Sequence, residues 1–164
     1  MSPPRRQPSH PQAGTRACDR KWITRSGNVR GRIAERTWEL RIEHRTDGEW
    51  RWNGTPVPGL SDCRDLDFGF TPATNLLQMR RTTLAIGESA DLPVAWLDLP
   101  EASLALLPQR YERLSATTYR YEAPTVGYSG VLEMNDSDFV RTYPGLWELD
   151  APGRSDRFPS GILR

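Results

Sequence analysis

Apolar and polar residues alternate with a period of two through much of the chain, which predicts half-buried β-strands. Trp38, Leu40 and Ile42 fall on one face, and Glu39, Arg41 and Glu43 on the other. Thr46-Asp47-Gly48 then turns the chain, Trp50 and Trp52 alternate with Glu49 and Arg51, and Asn53-Gly54 ends the second strand. Both turns hold residues that tolerate positive φ, so a hairpin is expected. Further strands are expected over 82–86, broken at Gly87, and over 94–99, a nearly continuous apolar run that reads as central. Shorter strands follow over 104–107, 117–122, 128–134 and 139–143.

Long stretches with a helical period are absent from this pattern, and one short helix stands out. Thr71 suits an N-cap and Pro72 a first helical position. Ala73, Leu76, Leu77 and Arg80 follow at helical spacing, and Arg80-Arg81 complement the dipole at its C-terminal end. The expected fold class is therefore mainly β, with many short strands about one short helix. Residues 1–17, rich in Pro, Arg, Ser and Gln, cannot bury enough surface to offset chain entropy and are expected to be a disordered tail. A single domain over 18–150 and a flexible tail over 151–164 complete the expected organisation.

Composition narrows the function classes. Of 164 residues, 37% are hydrophobic, enough for one domain with a lean core. The formal net charge of +1 gives no strong pull on nucleic acid or acidic membranes. Lys21 is the one lysine, and arginine serves everywhere else, so clustered arginines here are weak evidence for phosphate recognition. Cys18 and Cys63 make neither a disulfide framework nor a zinc pattern. No stretch reaches the roughly 18 apolar residues of a membrane span, and no apolar segment follows the N-terminal arginines, so a cytoplasmic protein is expected.

Candidate chemistry is sparse. Asp62, Asp65 and Asp67 form a carboxylate cluster, but Asp65 and Asp67 alternate with Leu66 and Phe68, as a solvated or hydrogen-bonded strand face would. Calcium-loop spacing is missing. Arg80 and Arg81 suit an anionic head group, or equally an ion pair with Asp65 and Asp67. Trp96 and Tyr111, with the other aromatics, serve either a core or a stacking surface for sugar and acyl groups. His44 has no evident partner, and nucleophile-elbow and phosphate-loop motifs are absent. No catalytic residues, metal or cofactor are expected.

Residues 49–83 carry a resemblance. Trp50, Gly54, Leu60, Cys63, Asp65, Asp67, Thr71-Pro72, Thr74-Asn75 and Arg80-Arg81 stand in the order of the signature of the putative glycolipid-binding family. Val94-Ala95-Trp96 with Pro100, Gln109-Arg110-Tyr111, Tyr119-Arg120-Tyr121 and Tyr143-Pro144-Gly145-Leu146-Trp147 extend it over about 18–148. The resemblance implies a bacterial spiral β-roll, a curled antiparallel sheet wrapped around one helix, and a homodimer. It also implies binding of a glycolipid or other amphipathic small molecule, with Arg80, Arg81, Asn75, Trp96 and Tyr111 as candidate ligand contacts. A cavity lined by Trp96 and Tyr111, with an arginine at its mouth, would mark that function. A solidly packed roll would mark an interaction or structural module. Two departures stand out: Gln78 replaces a family proline, which favours a continuous helix, and the family's β-structure before Cys18 is replaced by the Pro/Arg-rich tail. Either the first strands are lost or the gene start is misplaced; a missing hairpin would leave an open sheet edge.

Overall fold

A computed structural model describes residues 13–33, 36–98 and 103–148. The strands are β1 (Ala13–Cys18), β2 (Thr24–Ile33), β3 (Arg36–His44), β4 (Trp50–Trp52), β5 (Thr55–Val57) and β6 (Asp65–Phe68). A 3-10 turn, Pro72–Thr74, leads into helix α1 (Asn75–Arg81). Then come β7 (Ser89–Asp91), β8 (Val94–Asp98), β9 (Ser103–Leu107), β10 (Arg110–Arg113) and β11 (Thr118–Ala123). After a second 3-10 turn come β12 (Tyr128–Met134), β13 (Val140–Tyr143) and β14 (Trp147–Glu148), the last of the described elements. The mainly β class with one short helix is as expected.

The strands form three sheets. β1 to β5 make a meander, β6-β8-β9 a small central sheet, and β14-β13-β12-β11-β10-β7 a six-stranded sheet. The ladders are antiparallel except one: β6 pairs with β8 in parallel, Asp65 opposite Val94 and Phe68 opposite Leu97. Parallel neighbours need a crossover, and the helix sits in the crossover here. β8 is central in the physical sense as well. Ala95 and Leu97 pack with Ile42, Trp50, Leu66 and Phe68, whereas Val94 and Trp96 belong with Tyr111, Leu132 and Tyr143. A strand with both faces buried reads as one continuous apolar run.

Thr24 stitches the meander to the central sheet. Its backbone N–H donates to the Arg64 carbonyl at 3.0 Å, and its hydroxyl accepts from the Leu66 N–H at 3.1 Å. The meander approaches closely at two positions where β1 and β2 carry only glycine. A Cβ at Gly14 would lie 2.9 Å from the Phe68 ring, and one at Gly27 would overlap the Leu66 side chain.

Several expectations are corrected. Strand β1 starts at Ala13, so residues 13–17 belong to the meander and not to a tail; residues 1–12 and 149–164 lie outside the described residues. Residues 82–86 form no strand. The Thr82 N–H closes the helix on the Gln78 carbonyl at 2.9 Å, Leu84 is buried, and Ala85–Glu88 is a turn. The helix does run continuously through Gln78. Of the two readings of Asp65 and Asp67, the solvated face fails, since every residue of β6 is buried, and the hydrogen-bonded, arginine-paired one holds.

His44 is also buried. Its ring stacks on Trp50, centroids 4.3 Å apart, and Nδ1 donates to the Thr24 carbonyl at 2.8 Å. Burial holds its pKa below the usual histidine value, with the Thr24 carbonyl opposing. Because the folded state then binds the proton less readily than the unfolded chain, stability falls as pH drops below about 6.5.

Two predictions follow from this packing. Gly27→Ala lowers unfolding free energy by about 1–3 kcal/mol in urea titrations, since Leu66 must move. Lowering pH from about 7 to about 5.5 destabilises the wild type more than His44→Asn, whose amide keeps the donor to Thr24 without the titrating ring. Chemical denaturation at several pH values reads the difference.

Candidate functional site

Where α1 crosses β6, two carboxylates are buried under it. Period two puts Leu66 and Phe68 into one core and turns Asp65 and Asp67 toward the helix. Thr71 caps the 3-10 turn rather than α1 itself, its hydroxyl accepting from the Ala73 N–H at 3.3 Å, and Thr74 takes the N-cap position of α1 without a side-chain cap bond. That turn aims Thr74, whose hydroxyl donates to Asp67 Oδ1 at 2.6 Å. Gln109 Nε2 donates to Asp67 Oδ2 at 2.8 Å. Arg81 pairs with Asp65, and Arg16 reaches from β1 to donate to the carbonyls of Leu66 and Thr74. Burial raises the pKa of both carboxyls; Arg81 opposes it at Asp65, and Thr74 and Gln109 oppose it at Asp67.

Tyr111 extends this polar seam into the six-stranded sheet. Its hydroxyl accepts from Asn75 Nδ2 at 2.5 Å and donates to Gln78 Oε1 at 2.8 Å. The Tyr111 side chain is fully buried, which raises its pKa well above the usual tyrosine value. Tyr121 packs on Tyr111 at 4.8 Å, and Tyr143 and Tyr128 follow in the same aromatic group. These rings fill the space beneath the six-stranded sheet.

The candidate ligand residues are thus divided. Asn75 and Tyr111 meet inside the core. Trp96 is half-buried, its indole nitrogen against Gly69. Arg81 belongs to the ion pair with Asp65. Arg80 turns the other way, its guanidinium 5.3 Å from the Trp22 ring centroid and 3.6 Å from Asp138. A half-open cavity of about 240 Å³ is lined by Asp62, Arg64, Arg81, Asp91, Leu92 and Pro93. Arg81 is the one candidate residue in that lining.

Sequence reading passed over Arg64 and Asp91. Arg64 immediately precedes β6, and Asp91 closes the short strand β7. Only the pairing of β6 with β8 across the helical crossover brings them together, and no local motif signals it. Arg81 Nε and Asp65 Oδ1 are buried without a hydrogen-bond partner among the described residues. Such orphans call for a water or a ligand group. Among the described residues, no three His, Cys, Asp or Glu side chains gather as a metal site.

Together these features define a class: a mainly β protein, curled about one helix that covers buried carboxylates. The chain matches the family described as Putative glycolipid-binding over residues 15–149, and it belongs to that family. It is similar to a crystal structure of a DUF1089 family protein from Pseudomonas aeruginosa, with 26% identity and a TM-score of 0.76. That alignment covers 84% of this chain and 76% of the other. No curated protein matches the chain. No described helix is long and apolar enough to cross a membrane.

Tyr111→Phe tests the structural role of the seam. Loss of the hydroxyl leaves Asn75 and Gln78 unpaired, so unfolding free energy drops by about 1–3 kcal/mol in denaturant titration. Circular dichroism should still report the native fold.

Proposed function

We propose that this protein is a non-catalytic binder of glycolipid head groups, and that the head group enters the cavity beside Arg81. The observation that carries this reading is the lining. Asp62 and Asp91 offer acceptors for sugar hydroxyls, and Arg64 and Arg81 offer forked donors. Leu92 and Pro93 add an apolar wall. With Asp65 paired to Arg81 and Arg110 paired to Asp91, carboxylates and guanidiniums balance around the cavity, which suits a hydroxyl-rich group better than a bare anion.

Size supports the same division of labour. At about 240 Å³ the space is below the roughly 300–1,000 Å³ of pockets that enclose a whole drug-sized ligand. It takes a head group and leaves an acyl chain outside. Arg64 is exposed, so its substitution removes a contact without opening the core. The family description agrees with this chemistry but does not identify the lipid.

Native mass spectrometry of protein purified from a bacterial host tests the reading, with lipid extraction of the same sample. The expected spectrum shows a lipid-sized adduct near one per chain, reduced about tenfold or more in occupancy by Arg64→Ala. A clean apo spectrum, unchanged after incubation with bacterial glycolipid extract, would overturn it. The packed interaction module, supported by the filled core around Tyr111, would then be the better account. The same spectrum reads whether the chain is a homodimer.

A further inference from the structure

Three hairpin loops of this chain share one geometry. In Asp19–Ile23, Arg45–Glu49 and Asn135–Phe139, the first residue's N–H donates to the fifth residue's carbonyl, at 2.9, 2.9 and 2.8 Å. The fourth residue's N–H donates back to the first carbonyl, at 3.0, 3.1 and 3.0 Å. The fourth residue must then take positive φ. In the middle loop it is Gly48, at φ 88°. In the other two it is Trp22, at 61°, and Asp138, at 64°.

Glycine is the ordinary occupant of such a position, Asp is tolerated, and a bulky aromatic residue is an outlier. The first loop is built to hold the outlier. Asp19 Oδ1 accepts from the N–H groups of Lys21 and Ile23, at 2.8 and 3.1 Å, and Arg25 clamps the other oxygen at 2.7 Å. Asn135 does the same for Ser137 and Phe139, at 2.9 and 3.1 Å. The two loops are at least 112 positions apart in sequence, yet both exceptional residues converge on Arg80. The Arg80 guanidinium lies over the Trp22 ring, 3.6 Å from Asp138 and 3.3 Å from the Ser137 carbonyl. The Arg80 and Asp138 side chains remain 37% and 61% exposed, so water reaches the cluster.

Strained residues held by their surroundings cluster at binding sites. We propose that Trp22, Arg80 and Asp138 form a second site, a surface platform for a neutral pyranose ring. The half-buried indole, one face under Arg80, offers its other face as an apolar surface for the C–H face of the sugar. Arg80 donates to adjacent hydroxyls, and Asp138 accepts from one. The Asp138 carboxylate offsets the arginine charge, which disfavours a free anion and favours an uncharged sugar. The platform shares no residue with the cavity described above, so it stands or falls separately from the head-group reading.

Trp22→Gly is the informative variant because it removes the indole and relieves the backbone at once. Saturation-transfer NMR with methyl β-D-glucopyranoside and methyl β-D-galactopyranoside is expected to show transfer to the ring protons of at least one. Affinity should fall about tenfold or more in Trp22→Gly and in Arg80→Ala. The melting temperature of Trp22→Gly should be no lower than that of the wild type. Absence of transfer from the wild type, or equal affinity in Trp22→Gly, would overturn the proposal. Displacement of the sugar signal by inorganic sulfate at constant ionic strength would also overturn it, marking an anion site instead. A lower melting temperature in Trp22→Gly without wild-type transfer would make the cluster a structural staple that ties two loops to the helix.

Discussion

Two carboxylates buried on one short strand set the terms for the rest of this fold. Placing Asp65 and Asp67 in the interior costs solvation that must be recovered in hydrogen bonds and charge pairing. Thr74, Gln109 and Arg81 make those contacts, and Arg16 adds its charge nearby. Each comes from a different element, so satisfying the carboxylates fixes the positions of α1, β1 and the approach to β10. Loss of one member leaves a charge or a donor stranded rather than merely deleting a contact. The seam therefore dictates a specific arrangement, whereas apolar packing alone would tolerate several.

Apolar packing then closes around the seam in two blocks. β8 divides them, and its continuous apolar run follows from having both faces covered. The glycine-lined face of β1 and β2 lets the meander lie almost directly on Leu66 and Phe68. On the other side, Tyr111, Tyr121, Tyr128 and Tyr143 fill the hollow under the six-stranded sheet. A hollow filled by tyrosines is a core, and the cavity beside Arg81 lies outside it.

How much was legible depended on whether neighbours in sequence carry the signal. The alternation at Trp38, Leu40 and Ile42 is self-contained and is found where the pattern puts it; the Thr71-Pro72 cap is there too, but it starts a 3-10 turn and the α-helix follows from Asn75. β2 is not legible in the same way, because its inward positions include Gly27 and Gly31, and the apolar atoms covering them belong to Leu66 and Trp38. The residues after Arg81 have strand-like composition, yet the helix cap claims Thr82 and the turn at Gly87 follows at once. Asp65 and Asp67 read as either solvated or hydrogen-bonded, because alternation reports which side a residue takes, not what covers that side; Thr74, Gln109 and Arg81 decide it. The cavity was the least legible part: Arg64 and Asp91 become neighbours only through a parallel pairing that no local pattern announces.

Arg81 is where these two levels meet. One of its nitrogens holds the buried Asp65, another is left without a partner, and the side chain forms part of the cavity wall. A residue that pairs with a buried charge is held in a narrow set of rotamers, so the cavity has one wall fixed in advance by the core. Fixed donors lower the ordering cost of binding. Arg80, one position earlier, has no such anchor inside the protein and points instead to Trp22 and Asp138. The adjacent arginines share a charge and a helix end, but a helical turn of about 100° per residue separates their surroundings. One is committed to the interior and its rim, the other to the surface, and a single paired-arginine motif serves both.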